Sequence, residues 1–201
     1  FLQAIQPFLP DVVVGVECVF LWYWLADLCH EKGIPFILGH ALYMKAIHGG
    51  KAGNDRIDSA KIAAILRGGT FPLAYVYPKE QRATRDLLRR RMHLMRKRSA
   101  LLAHIQNTNS QYNLPALPGD ASRKNQREGL LEHFPDPDVR QSIGLDLGLI
   151  EFYDQHLAKV ELYLSRQAKV HDPDTYTRLR SIYGVGNILA ATLGIVTPFC
   201  S

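Results

Sequence analysis

The sequence contains few cysteines and no long apolar run, and these two absences narrow the class of protein. Its three cysteines, Cys18, Cys29 and Cys200, are an odd number at wide spacings without a CxxC pair. This pattern argues against a disulfide framework and against a structural zinc site. No apolar run is long enough to span a bilayer, and no basic segment precedes an apolar one near Phe1. A membrane span and a signal peptide are therefore both disfavoured, and we expect a cytoplasmic protein.

The charge is mildly basic overall but concentrated in one segment. The 201 residues include 24 Lys+Arg and 19 Asp+Glu, a net charge of +5, and 47% hydrophobic residues, which excludes a disordered chain. The segment from Lys79 to Arg98 contains nine basic and two acidic residues, which gives a local charge of +7. Because the planar guanidinium of arginine suits phosphate oxygens, an arginine-rich helix of this kind is typical of a nucleic-acid contact. The alternatives are a solvated helix face or pairing with acids on a neighbouring helix.

The first part of the chain predicts an α/β unit. The β-branched run at 12–16 predicts a buried strand that ends at Glu17, followed by a helix over 19–31 and a second strand over 34–38. A strand, a crossover helix and a strand at this spacing predict a parallel pair, with a ligand-facing edge at the carboxyl ends of the strands. A further helix is predicted over 55–66.

The second part predicts long helices without strand signals. One helix is predicted over 79–106 and another over 139–169, separated by a Pro/Gly/Asn-rich connection that can reverse the chain. We therefore expect an antiparallel helical hairpin. A short helix, a turn at 183–186 and an apolar helix follow Asp172. The second long helix carries a leucine or isoleucine at every seventh position, at Ile143, Ile150, Leu157 and Leu164.

Three carboxylates could bind a metal ion. Glu17 closes a predicted buried strand, and Asp55 and Asp58 are three residues apart at a predicted helix start, which places them on one helical face. Carboxylate oxygens are the ligands that Mg²⁺ prefers, and a few of them suffice for a two-ion phosphoryl-transfer site. The alternative is that the aspartates cap the helix and interact favourably with its dipole, and that Glu17 lies at the end of a surface strand.

The turn between the last two helices is a second candidate phosphate contact. Gly184 and Gly186 precede an apolar helix and resemble the turn of a helix-hairpin-helix, whose backbone N–H groups can hold a phosphate. A tight turn without a ligand is the alternative.

Several motifs in order resemble one family. They are V-G-V-E at 14–17, K-A-G-N-D-R-I-D-S-A-K-I-A at 51–63, the basic helix, and S-I-Y-G-V-G at 181–186. Together they are similar to the DEDD-type insertion-sequence transposases of the one-ten family. The resemblance implies a partial RuvC/RNase H-like α/β domain over 1–78, a coiled-coil hairpin over 79–171 and the start of a helical C-terminal transposase domain over 172–201.

The same resemblance implies a metal-assisted strand exchange. Glu17 matches the second acid of the family, and Asp55 and Asp58 match the third and fourth, so these three would hold Mg²⁺ or Mn²⁺ near the scissile phosphodiester. The first acid is expected upstream of Phe1 and the nucleophilic serine beyond Ser201, so the present chain alone is expected to be inactive. The sequence departs from the family at 18–20, where bulky residues follow the glutamate.

The implied partners are nucleic acids and a second copy of the chain. They are DNA, an element-encoded guide RNA and a homo-oligomer formed through the helical hairpin, in a bacterial or archaeal cytoplasm at the nucleoid and without a membrane. A RuvC-like Mg²⁺-dependent nuclease or junction resolvase, or a non-catalytic nucleic-acid-binding remnant, are the alternatives. The expected nucleic-acid contacts are Arg82, Arg85, Arg89, Arg90, Arg96, Lys97, Gly184 and Gly186.

Overall fold

The computed structural model describes residues 1–19, 21–48 and 55–196. These residues form an α/β protein that is mostly helical, and they divide into two units, Phe1–Glu80 and Gln81–Ser201. Among the described residues, no helix is long and apolar enough to cross a membrane.

The first unit contains the expected βαβ arrangement. After a short helix α1 (Leu2–Ile5), strand β1 (Val14–Glu17) and strand β2 (Phe36–Gly39) pair in parallel, with Glu17 opposite Gly39. Helix α2 (Trp22–Glu31) connects them. The parallel pair is confirmed, but each strand begins two residues later than the β-branched pattern predicts. Apolar side chains that include Val14, Cys29 and Ile34 form a buried cluster beneath the sheet.

Two helices and an extended segment complete the first unit. Helix α3 (Ala41–His48) follows β2, and α4 (Asp55–Arg67) packs on β1, where the Leu66 side chain lies against Gly15. The chain then returns along the free edge of β2 in the antiparallel direction. His40 N donates to Pro72 O at 2.7 Å, and Ala74 N donates to Leu38 O at 2.7 Å. Strand β2 therefore lies between β1 and this returning segment.

The second unit is built on two long helices. They are α5 (Lys79–Gln111) and α6 (Pro137–His171), followed by α7 (Pro173–Ser181) and α8 (Asn187–Val196), which both contact α6. Helix α6 begins where Asp136 accepts hydrogen bonds from the N–H groups of Asp138 and Val139, at 2.9 and 3.1 Å. The heptad residues of α6 are all buried, at 0% exposure for Ile143, Ile150 and Leu164 and 5% for Leu157.

The connection between the long helices, 112–136, is packed rather than loose. Leu130 and Phe134 are fully buried and cluster with Ile105 of α5 and Ile143 and Ile150 of α6. Helix α5 also continues five residues beyond the predicted end, because Thr108 is buried and Ser110 Oγ donates to Gln106 O at 3.1 Å within the last turns. The connection therefore contributes to the core.

Candidate nucleic-acid interface and acidic site

Ion pairs join the facing sides of α5 and α6. Arg91 Nη2 lies 2.5 Å from Glu161 Oε1, and Arg98 Nε donates to Asp154 Oδ1 at 2.5 Å. Arg98 comes seven residues after Arg91 on α5, whereas its partner Asp154 comes seven residues before Glu161 on α6. The two helices therefore run antiparallel. His104 Nδ1 continues the series, 2.5 Å from Asp146 Oδ2. The helical hairpin predicted from the sequence is therefore formed by α5 and α6 in antiparallel orientation.

Asp154 is a branch point of this network. It accepts a second hydrogen bond from Arg127 Nη2 at 2.6 Å, and Arg127 also lies 3.4 Å from Glu151. Although burial raises the pKa of Asp154, the hydrogen bonds from Arg127 and Arg98 outweigh it and hold this pKa below its ordinary value. The carboxylate is therefore charged at neutral pH and links both long helices to the connection.

The opposite side of α5 carries the remaining positive charge. Arg89, Arg90, Arg96 and Lys97 are all exposed, and with His93 they fall within about 120° of the helix circumference. We call these five residues the outer basic face. In the part of the chain that the structure describes, its four permanent cations form no ion pair with an acid. This face therefore presents four unneutralised charges over nine residues.

Two arginines expected at the interface lie elsewhere. Arg82 is 7% exposed and has contacts within the protein, and Arg85 lies 3.5 Å from Asp86 with 17% of its side chain exposed. The predicted set thus divides between Arg82 and Arg85 in the first two turns of α5, which have contacts within the protein, and the outer basic face, which is open to solvent.

The turn predicted at 183–186 lies between α7 and α8. Gly184 adopts a positive φ of 84°, and Val185 N donates to Ile182 O at 3.0 Å. Gly184 and Gly186 are exposed, and a Cβ added at either glycine would meet nothing within 4 Å. Buried residues of both helices, including Tyr176 and Ala190, hold the hairpin together with Ala168 of α6.

The expected carboxylates lie at the start of α4 and the end of β1. Glu17 is half-buried at the carboxyl end of β1, beside β2. Asp58 is exposed in the first turns of α4, with its Oδ1 3.8 Å from Lys61 Nζ. Asp55 begins α4, but its side chain lies outside the described residues, as do residues 51–54 of the family motif.

The described residues do not by themselves assemble a metal centre. No group of three or more His, Cys, Asp or Glu side chains that could hold an ion occurs among them. Glu17 and Asp58 supply oxygen ligands of the kind Mg²⁺ takes, and Mg²⁺ needs only one or two protein carboxylates when it also binds substrate phosphates. The carboxylate oxygens of Glu17 and Asp58 are ligands of the kind that Mg²⁺ takes. A metal site assembled from them stays a prediction.

The sequence interpretation missed the acids that pair with α5. Asp154 and Glu161 are seven residues apart, as are Arg91 and Arg98. The matching spacing of opposite charges on two predicted antiparallel helices is the signal that could have identified them. This spacing separates the arginines of α5 that pair with acids of α6 from the cations of the outer basic face.

Comparisons with protein-family models, with curated proteins and with solved structures found no match to this chain. The RuvC/RNase H-like assignment and the transposase resemblance therefore stay predictions from the residues.

Proposed function

We propose that this protein binds nucleic acid through the outer basic face of α5 and serves as the scaffold of a DNA transposase or recombinase. The observation that carries this proposal is the division of charge on α5. Its inward arginines are neutralised by Asp154 and Glu161, whereas its outward cations are exposed and pair with no acid among the residues that the structure describes. A structural role accounts for the first group only.

The spacing of the outer cations suits a phosphate backbone. Nine helical residues rise about 12 Å, a distance over which several phosphates of a duplex or a structured RNA can approach one helix face. Arginines provide forked donors for phosphate oxygens. The exposed turn at Gly184 and Gly186 offers further backbone N–H groups for the same kind of ligand.

The reaction is proposed from the resemblance and the carboxylates. Glu17, Asp55 and Asp58 would hold Mg²⁺ or Mn²⁺, and the ion would supply charge stabilisation at the scissile phosphodiester. The outer basic face would hold DNA or the guide RNA while strands are exchanged. The resemblance supports strand exchange by a serine over hydrolysis by a metal-activated water, and products covalently linked to protein would distinguish the two.

The salt dependence of binding tests the interface. We expect Arg96→Gln/Lys97→Gln to weaken binding to a duplex or a structured RNA and to reduce the slope of log K against log salt by about 2, because two phosphate contacts are lost. Fluorescence anisotropy over a salt series measures both quantities.

A matched variant separates local contacts from net charge. Lys32→Gln/Arg67→Gln removes two exposed cations from the first unit and lowers the net charge equally. This variant should retain the wild-type slope. Equal losses in both doubles would show a general charge effect and contradict an interface on α5.

Ion binding by the acidic residues is tested without catalysis. Paramagnetic broadening by Mn²⁺ in NMR spectra should weaken in Glu17→Gln and Asp58→Asn and be unchanged in Glu31→Gln, which alters an exposed acid at the end of α2. Unchanged broadening in the first two variants would remove these residues from the proposed metal set.

A further inference from the structure

The turn between α7 and α8 presents a fully exposed aromatic side chain. Tyr183 is 104% exposed, and the preceding Ile182 is 53% exposed. A tyrosine of a folded protein normally buries much of its ring, because the ring is a large apolar surface. A ring that contacts so little of its own protein is available to a ligand.

Hydrogen bonds hold the backbone of this turn in place. Val185 N donates to Ile182 O at 3.0 Å, across the positive φ of Gly184. Arg180 Nη1 of α7 donates to Val185 O at 2.9 Å. Because these bonds fix the turn, a ligand that stacks on Tyr183 need not first order the backbone that carries it.

A groove lined by α6, α7 and α8 lies next to this turn. Its volume is about 350 Å³, within the range of small-ligand sites, and its lining includes Tyr176 and Ile188. Tyr176 OH donates to Oδ1 of Asn187, another lining residue, at 3.3 Å. The NH₂ group of this amide is then the end that can donate to a ligand. Asn187 begins α8 four residues after Tyr183, so the groove and the exposed ring are neighbours along the chain.

The groove is positively charged. Arg166 and Lys169 are exposed residues of α6 that line it, about one helical turn apart. Within the ranges that the structure describes, neither of them forms an ion pair with an acid, and Lys169 Nζ lies 5.9 Å from the centre of the Tyr176 ring. The acid of the lining, Glu161, is paired with Arg91 of α5. The groove therefore suits an anion.

We propose that the turn and the groove bind an unpaired segment of nucleic acid, with a base stacked on Tyr183 and a phosphate held by Arg166 and Lys169. We call these three residues the single-strand site. The inference rests on the proposed function, because it takes nucleic acid as the ligand. It adds a second surface, separate from α5, and a preference for unpaired nucleotides.

The exposed ring is the reason for this preference. In a duplex the faces of the bases are covered by their neighbours, whereas an unpaired base can place its face on an aromatic side chain. Such stacking tolerates every base, and the cations next to it hold the backbone of the same strand. A single strand of either DNA or RNA offers this combination of an open base and a phosphate.

Fluorescence anisotropy of the full chain tests the aromatic contact. The probes are labelled oligothymidylate and oligouridylate of about 12 nucleotides, and a DNA duplex of the same length. We expect Tyr183→Ala to weaken single-strand binding at least about fivefold and to leave duplex binding unchanged. Tyr183→Phe keeps the ring and should retain wild-type affinity. The probe that loses more affinity in Tyr183→Ala identifies the strand, DNA or RNA, that the site prefers.

A matched variant removes an exposed tyrosine elsewhere in the second unit. Tyr112 is 51% exposed and directly follows α5, at the end of the hairpin remote from the groove. Tyr112→Ala should therefore bind both single strands as wild type does. Equal losses in Tyr112→Ala and Tyr183→Ala would contradict a stacking role specific to Tyr183.

The salt dependence of single-strand binding tests the groove. Arg166→Gln and Lys169→Gln should each reduce the slope of log K against log salt by about 0.7, the effect of one phosphate contact with a single strand. Lys159→Gln changes an exposed lysine of the same helix outside the groove and should retain the wild-type slope. Circular dichroism verifies that the variants keep their helix content. Equal reductions in all three would show a general charge effect and contradict the groove contact.

Photochemical cross-linking locates the base. With 5-iodouracil in the single-stranded probe, irradiation should link the probe to Tyr183, as identified by mass spectrometry of the peptides. Links to other residues only, or unchanged single-strand affinity in Tyr183→Ala, would overturn the inference. If Arg96→Gln/Lys97→Gln still weakens duplex binding in that case, the proposed function stands without the single-strand site. A wild-type protein that binds no nucleic acid would overturn both.

Discussion

At the scale of single residues, the carboxyl end of β2 shows how tightly the candidate site is built. A Cβ built at Gly39 would lie 2.7 Å from Phe71 Cζ and closer still to Met44 Sδ. Phe71 and Met44 are both buried, at 8% and 0% exposure, so neither can move without disturbing the core. Because Gly39 pairs with Glu17 in the sheet, this packing fixes the strand end that carries the glutamate.

We therefore predict that Gly39→Ala destabilises the first unit by about 1–3 kcal/mol, the usual cost of overpacking. Gly15→Ala is the matched control on the neighbouring strand. Its nearest contact, 2.8 Å, is Leu66 Cδ2, the end of a flexible side chain that can turn aside. Urea denaturation followed by tryptophan fluorescence measures both changes. An equal loss in the two variants would show that an added Cβ is tolerated no better beside Leu66 than beside Phe71, and would contradict a special constraint at Gly39.

At the scale of elements, the ion pairs between α5 and α6 make the hairpin sensitive to acid. The pKa of Asp154 is lowered in the folded protein, so its stabilisation is complete above the ordinary aspartate pKa and is lost as pH falls through the folded value. We predict that the free energy of unfolding decreases below about pH 4, partly through this group.

Asp154→Asn should destabilise the second unit by about 2 kcal/mol at pH 7, because Arg98 and Arg127 lose a charged acceptor. The same substitution should also make the free energy of unfolding decrease less steeply at acidic pH. Glu132→Gln changes an exposed acid of the connection and should leave both quantities within about 0.5 kcal/mol of wild type. If the free energy of unfolding decreases as steeply at acidic pH in Asp154→Asn as in wild type, other groups cause this decrease. Asp120 and Glu151 are examples, because their pKa values are also lowered.

Helices and strands were predictable from the sequence where a single periodicity of apolar residues dominated the segment. The heptad at Ile143 to Leu164 predicted α6 and its buried side, and the β-branched run predicted β1. The packed connection was not predictable, because Leu130 and Phe134 are buried by contacts distant in sequence, and a Pro/Gly-rich composition conceals them. Likewise, the local charge count at 79–98 did not reveal which arginines were neutralised, since Glu161 is 70 residues from Arg91 and Asp154 is 56 residues from Arg98.

At the scale of the whole chain, the net charge belongs to one unit. Phe1–Glu80 contains seven basic and seven acidic residues, whereas Gln81–Ser201 contains 17 basic and 12 acidic residues. The entire excess of +5 thus lies on the helical unit. An anionic partner would be attracted to that unit over a distance of about a Debye length, 10 Å at 0.1 M salt, whereas the α/β unit, with no net charge, would exert no such net attraction.

Each unit has its own buried clusters, so we predict that the two unfold in separable transitions. Both tryptophans, Trp22 and Trp24, lie in the first unit, so their fluorescence reports on it alone, whereas far-UV circular dichroism is dominated by the long helices of the second. Phe134→Ala removes a fully buried side chain of the second unit and should cost about 3–5 kcal/mol there. The dichroism transition should then shift to lower temperature while the fluorescence transition remains in place, and Gly39→Ala should do the reverse. Parallel shifts of both signals in either variant would show that the two units unfold as one cooperative unit.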